Sequence, residues 1–291
     1  MTRALALVLI AACGGGSPSA TKPTVESPPS AVGSTETPSE LSAALKPLAW
    51  LEGDWDIWHF HAAGGALYGL VFRPYDRGGF AVHIIDDAPT DGPLDGKLRV
   101  FITADGQPMD EMPGTLTGEH SVSFAKKTGN LRWNDVEHSY SVEGDALLVG
   151  GHVGDSPLSD TYKRSPPLSA PELEAADRAF SADVGKRGVD GWMAAFAPDG
   201  SMLRKNAKIT GAEISAMMKP LLDSGTLAWE PLASGIAGGA HANEFGFTVG
   251  TATFTGKTPA NGWRSSYITI WAKQPDGSWK VRFDTGRPVH E

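Results

Sequence analysis

Histidines and carboxylates are the residues of this chain whose spacing could do chemistry. His59 and His61 stand two apart in a run that alternates like a strand, so both imidazoles share one face. Turned inward with His83, His138 or His152, they could ligate a metal ion or a haem iron. Trp58 and Phe60 take the opposite face and are the better core residues, which sends His59 and His61 to solvent. No metal and no cofactor is therefore expected. Asp86, Asp87, Asp91 and Asp95 crowd one stretch without the Asp-x-Asp-x-Asp-Gly order of a calcium loop, so a plain acidic turn is expected. Asp177, Asp183, Asp190 and Asp284 are further carboxylates, and one of them orienting His241 would make a general acid–base couple. No spacing brings such a couple together, and solvated surface carboxylates are the expectation at these positions. The catalytic assignment stays open, with His241 and Asp284 as its candidates. The single cysteine, Cys13, leaves no disulfide and no thiolate metal site. No P-loop, dinucleotide fingerprint, nucleophile elbow or zinc-protease motif occurs.

Two textures position these residues. From Leu45 to Arg164 alternating runs appear at Trp55–His61, Leu67–Phe72, Phe80–Ile85, Leu98–Thr103, Val122–Phe124, Tyr140–Val142 and Leu147–Val153. Turn clusters such as Asp76-Arg77-Gly78-Gly79 separate them, which predicts an up-and-down barrel or a sandwich. Ser165-Pro166-Pro167 breaks that pattern. Ser169 and Glu172 then have capping-box spacing, with Pro171 in the first turn, and Leu173, Ala176, Phe180 and Val184 recur at helical spacing. Gly188 ends this helix, Trp192 with Phe196 marks a second, and Thr210 with Glu213 opens a third through Leu222. Strands follow at Leu227–Leu232, Phe245–Phe254, Arg264–Lys273 and Trp279–Asp284, an α+β layout.

The composition bounds the function. In 291 residues the hydrophobic share is 41% and the charged share 20%, as in folded globular chains. A net charge of -9 without a basic stripe argues against a nucleic-acid partner. Gly14 to about Glu40 is rich in Ser, Thr, Pro and Gly and reads as a tether with too little apolar surface for a core.

Arg3, the apolar run Ala4 to Ala12 and the small pair Ala11-Ala12 before Cys13 resemble a bacterial lipoprotein signal. The resemblance implies lipidation at Cys13, cleavage of residues 1–12 and a tether over 13–44. It also implies anchoring in the bacterial cell envelope, at the outer membrane because Gly14 stands where a retention signal would often place Asp.

Leu48-Ala49-Trp50-Leu51-Glu52-Gly53-Asp54-Trp55 resembles the opening of lipocalin-like (calycin) barrels, with Gly53-Asp54-Trp55 as the G-x-W signature. That implies a closed barrel over 45–165 whose floor is Trp55 with Arg164 stacked on it. Pro47-Leu48-Ala49-Trp50-Leu51 is also similar to the start of nitrobindin-type haem barrels.

Residues 169–287 resemble the NTF2-like superfamily, in particular its SnoaL-like and DUF4440 members. The likeness is carried by Ala175-Ala176-Asp177-Arg178-Ala179-Phe180, by Phe245-Gly246-Phe247-Thr248-Val249-Gly250-Thr251 and by Tyr267-Ile268-Thr269-Ile270-Trp271-Ala272-Lys273. It implies a cone of curved sheet around helices, often with a ligand pocket at the open end and a dimer interface on the outer sheet. Ketosteroid isomerases share the cone, yet an ungapped register places Arg204 where their base stands and Phe180 or Ser181 where their tyrosine stands, so that mechanism is not expected. Arg204 and Lys205 could instead draw an anionic group to the mouth. Trp192, Trp229, Tyr267, Trp271 and Phe283 are candidates for the lining. The leading expectation is non-enzymatic binding of a small, largely apolar ligand in the cone, by Trp192, Arg204, Trp229, Tyr267 and Trp271. The alternatives are a SnoaL-like isomerase, cyclase or hydrolase using an Asp/His couple, and a structural protein forming homodimers through the sheet or envelope contacts.

Overall fold

The computed structural model describes residues 41–72, 80–86, 97–102, 107–125, 136–153, 155–204, 207–237, 243–257 and 262–289. The leader with Cys13, the tether, the turn at Asp76, residues Asp87, Asp91 and Asp95, Lys205 and His241 lie outside them.

Among the described residues the first half is a single antiparallel meander of ten strands in chain order. They are β1 (Gly53–Trp55), β2 (Trp58–Ala63), β3 (Ala66–Phe72), β4 (Phe80–Asp86), β5 (Lys97–Ile102), β6 (Gln107–Gly118), β7 (Ser121–Ala125), β8 (Val136–Glu143), β9 (Ala146–Val153) and β10 (Ser156–Lys163). The expected lipocalin-like barrel is not closed. Among the described residues its ends meet at one isolated bridge, Trp55 to Arg164, and not along a ladder. The physical reason is at the two edges: β1 is only three residues long, and β10 buries none of its residues. At that bridge Trp55 is fully buried and the Arg164 guanidinium lies 3.8 Å from the ring centroid. Gly53 permits this approach, because it has φ +131 and a Cβ there would stand 2.5 Å from Arg164 Nη1.

The second half joins three helices, α1 (Pro171–Arg187), α2 (Val189–Ala195) and α3 (Gly211–Ser224), to a six-stranded sheet. Its strands are β11 (Phe196–Arg204), β12 (Ala207–Thr210), β13 (Gly225–Ile236), β14 (Phe245–Gly256), β15 (Trp263–Lys273) and β16 (Trp279–Pro288), in spatial order β12-β11-β16-β15-β14-β13. Of the neighbouring strands described in this sheet, β11 and β16 run parallel and the others antiparallel. Glu213 accepts the Thr210 N–H at 3.1 Å, closing the capping box that starts α3. The box expected at Ser169 does not form. Ala170 is the N-cap of α1, and its N–H donates to Ser234 of β13 at 3.0 Å, so the neighbouring strand satisfies the helix start. Phe196 opens β11 and does not belong to the second helix.

The two sheets share an apolar layer. Tyr68, Leu70, Phe72, Phe80, Val82 and Ile84 of β3 and β4 cluster with Phe247, Val249, Ile268, Ile270 and Phe283 of the second sheet. The other faces of β3 and β4 send Leu67, Val71, Ala81 and Ile85 into the meander's own core with Trp55, Phe60 and Tyr140. Every residue of β3 and β4 is consequently buried. The outer face of the second sheet, where the resemblance implied pairing with a second copy, is covered here by the same chain.

This layer overturns the expectation that His59 and His61 face solvent. Asp54 Oδ1 accepts from His59 Nδ1 and from His61 Nε2, both at 3.0 Å, and Oδ2 accepts the Leu168 N–H at 2.9 Å. Both imidazoles pack on Phe247, with ring centroids 5.4 and 5.5 Å apart. Burial pushes the Asp54 carboxyl up, but the two imidazole donors and Leu168 outweigh it and hold the group well below the usual carboxylate range. His59, 2% exposed, is pushed below the ordinary histidine value by burial, against the pull of Asp54. No helix among the described residues is long and apolar enough to cross a membrane.

Candidate functional site

Strand alternation builds the site. On β15, Ser265, Tyr267 and Thr269 point to the helices, while Ser266, Ile268 and Ile270 point to the meander. Between the sheet and the helices lies a cavity of about 160 Å³. Its apolar wall comes from Phe180 of α1, Met217, Met218 and Leu221 of α3, and Leu227 and Ala252 of β13 and β14. Trp263, 39% exposed and stacked on Phe254, reaches it from solvent.

Two buried carboxylates organise the polar part. Asp284 stands on β16 directly across from Thr269, whose hydroxyl donates to Oδ2 at 3.0 Å. Arg204, at the end of the adjacent β11, donates from Nη2 to Oδ1 at 3.2 Å. Burial pushes the Asp284 carboxyl upward, and Arg204 and Thr269 draw it partly back. The position that a ketosteroid-isomerase register assigns to a base thus carries a guanidinium, and a carboxylate reaches it from β16 instead.

Asp177 is the second carboxylate and is fully buried. It continues the inward stripe Leu173, Asp177, Phe180, Val184 of α1, four and three residues from its apolar neighbours. Trp229 Nε1 donates to its Oδ1 at 2.6 Å, and the Tyr267 hydroxyl donates to its Oδ2 at 2.7 Å. The phenol can lie over β14 because its cross-strand partner is Gly250, where a Cβ would come within 2.7 Å of the hydroxyl oxygen. Burial lifts the Asp177 carboxyl from 3.8 to about 6, with Tyr267, Trp229 and Thr248 opposing and the charge of Asp284 adding to the rise. Burial first, then Asp177, pushes Tyr267 well above 10, so this phenol remains a neutral donor.

Of the residues expected to bind a ligand, Trp192, Arg204, Trp229 and Tyr267 meet on the cavity wall, and Asp284 joins them. Trp271 does not. It lies in the core beside the wall, where its Nε1 donates to Thr248 at 2.9 Å. Phe283 faces the opposite way, into the layer between the sheets. His241 lies outside the described residues, so the Asp/His couple has no geometry here. Asp183 is on the surface, paired with Arg187, and Asp190 is exposed. Asp177 and Asp284 are the two that the expectation of solvated carboxylates misplaces, since both are buried, and the place of Asp177 in the apolar stripe of α1 is the available signal. Among the described residues no group of three His, Cys, Asp or Glu side chains could hold a metal ion.

No family model matches this chain, and no curated protein matches it. Solved structures similar to it include a ketosteroid isomerase-like protein from Erwinia carotovora atroseptica, at 16% identity over 42% of this chain and 96% of that chain, TM-score 0.35. An NTF-2-like protein of unknown function from Shewanella oneidensis is 13% identical over 40% of this chain and 96% of its own, TM-score 0.34. A protein of unknown function with a cystatin-like fold from Nostoc punctiforme is 16% identical over 42% and 95% of the two chains, TM-score 0.33.

Proposed function

We propose that this protein binds a small, largely apolar molecule in the cavity between its helices and the six-stranded sheet, without turnover. The observation that carries the reading is the cavity itself: about 160 Å³, walled by Phe180, Met217, Met218, Leu221 and Leu227, with its charged groups already satisfied inside the protein. On the wall Asp284 is paired with Arg204 and Thr269, and behind it Asp177 is paired with Trp229 and Tyr267. A mostly apolar cleft with a few fixed polar groups is the usual form of a small-molecule site. As part of the same proposal, Cys13 carries a lipid anchor and the tether presents the folded part at the cell envelope; the leader sequence supports this.

A second reading follows from Asp284. A buried carboxylate on a cavity wall, raised above its ordinary range, is suited to hold and release a proton, as in an isomerase or cyclase of the SnoaL-like kind. Native mass spectrometry of the full chain incubated with envelope extract separates the two. A discrete retained mass, absent from a cavity-filling Leu221→Trp variant, is expected for binding. Conversion of a compound by the wild type but not by Asp284→Asn would replace binding with turnover, and neither result would defeat both.

A further inference from the structure

The cavity has one polar side and one open end. The helices, β13 and β14 line it with mainly apolar side chains, while β11, β15 and β16 contribute Arg204, Ser265, Thr269 and Asp284. Exposure marks the mouth: Trp263 is 39% exposed and the Arg204 side chain 30%, against 5% for Phe180 and 2% for Met218. Ser265 follows Trp263 by two residues on the same face of β15. Its hydroxyl makes no hydrogen bond to the described residues and is not among the buried polar atoms sealed from contact. Gly286 of β16, also part of the wall, leaves the space beside that hydroxyl empty, since a Cβ there would stand 3.5 Å from Ser265 Oγ. Arg204 donates to the Leu203 carbonyl at 2.8 Å and to Asp284, and its other N–H groups have no partner among the described residues. The oxygens of Asp284 already receive hydrogens from Arg204 and Thr269, and the Tyr267 hydroxyl gives its own to Asp177. The mouth therefore has hydrogens to give and lacks an oxygen to receive them.

We infer that Ser265 selects the ligand: its hydroxyl donates to an uncharged acceptor oxygen, such as a carbonyl, seated at the mouth beside Gly286, while an apolar body of about one six-membered ring fills the cavity behind. This rests on the binding reading above. The ring size comes from volume, because a cavity of about 160 Å³ is close to the ~150 Å³ that accommodates benzene in an apolar protein interior. The orientation comes from the wall. Phe180, Met217 and Met218 offer the inner end no donor, whereas Ser265 and Arg204 stand at the mouth. Neutrality comes from charge: the Arg204 guanidinium is already matched by Asp284, so a carboxylate would meet no free countercharge. A few placed polar groups on an otherwise apolar cleft are what orient a small ligand.

Acetophenone and α-methylstyrene differ by C=O against C=CH2 at nearly constant shape, and their affinities for the full chain and for its Ser265→Ala variant form the test. Comparing each compound across the two proteins cancels its hydration in water. Titrations are followed by the methionine methyl resonances of 13C-methyl-labelled protein. Acetophenone is expected to lose about fivefold in affinity in Ser265→Ala, the usual net worth of one neutral hydrogen bond, while α-methylstyrene binds both proteins alike. Benzoate should bind wild type more weakly than acetophenone does. In the acetophenone complex, nuclear Overhauser contacts to the Met218 methyl should come from the ring protons. An acetophenone affinity unchanged by Ser265→Ala, or an equal loss for both compounds, would overturn the inference and leave the binding reading standing. Tighter binding of benzoate, or Met218 contacts from the acetyl methyl, would do the same. If neither acetophenone nor α-methylstyrene binds up to its solubility limit, both fall. Should Ser265→Ala fail to fold, the orientation and the benzoate comparison in wild type decide.

Discussion

Replacing Asp177 by Asn should change how stability depends on pH in a way that no surface carboxylate could. Burial raises this carboxyl from 3.8 to about 6, so the folded state holds a proton that the unfolded state has released throughout that interval. The sign follows: a raised folded pKa contributes stability fully present below 3.8, progressively lost as pH rises through about 6. At about 1.36 kcal/mol per pH unit the full loss is about 3 kcal/mol. Between pH 4.5 and 7.5 the same linkage gives about 2 kcal/mol. Asn cannot ionise, so Asp177→Asn removes this component and leaves every other titrating group in place. It also alters the hydrogen bonds with Trp229 and Tyr267, but that cost is nearly independent of pH. Urea unfolding of both proteins at pH 4.5 and 7.5 measures the difference. The variant should gain about 2 kcal/mol relative to wild type on going to pH 7.5. Parallel stability curves for the two proteins would refute the assignment of Asp177 as a buried, proton-holding group.

Other expectations concern the same two layers. Arg204→Ala leaves the buried Asp284 carboxylate without its cation and should destabilise the fold by about 1–3 kcal/mol at pH 7, discounted for the partial exposure of Arg204. Adding Asp284→Asn should return most of that loss in the same urea titration. Gly250→Ala drives a methyl against the Tyr267 hydroxyl and the Glu230 carbonyl, and should lower stability by roughly 1–3 kcal/mol while turning Tyr267 away from Asp177. Near-ultraviolet circular dichroism would report that displacement. Acidification should withdraw stability over two pH windows through groups in the layer between the sheets. His59, whose folded pKa is lowered by burial, withdraws stability as pH falls below 6.5. Asp54, held low mainly by His59 and His61 against burial, withdraws more below 3.8. Asp54→Asn should remove the second of these losses, as measured by urea unfolding at a series of pH values.

The misread residues share one physical cause. Alternation at Trp58, His59, Phe60 and His61 reads as core against solvent, which is right only for a sheet with one wet face. Here β2, β3 and β4 lie between two cores, so His59 turns from one packed layer into another. The runs Leu67–Phe72 and Phe80–Ile85, read as alternating, are in fact nearly continuously apolar, which is the mark of strands buried on both faces. The strands β6 and β10 carry no such mark. Pro108 and Pro113 interrupt the first, and the second has no buried face to impose a period. Helix boundaries marked by Gly188 and by Thr210 with Glu213 could be read because local hydrogen bonding fixes them. The start of α1 at Pro171 is legible from that proline, but the capping box at Ser169 does not form, and the Ala170 N–H donates instead to Ser234, 64 residues further along the chain. For the site, the resemblance to a cone and its supply of aromatics point to Trp192, Trp229 and Tyr267, which line the cavity, and to Trp271, which does not. The pairings that define it, Arg204 with Asp284 and Asp177 with Tyr267, join strands and helices 80 and 90 residues apart and leave no local trace.

Occupancy of the cavity by a small apolar molecule can be tested directly with methyl-13C-methionine protein titrated with toluene. Met217 and Met218 line the cavity, whereas Met112 is buried in the core of the meander and serves as the internal control. Binding in the cavity requires saturable shifts of the Met217 and Met218 methyl resonances with Met112 unmoved. Resonances that stay fixed up to the solubility limit of toluene, or that all drift together without saturation, would contradict it.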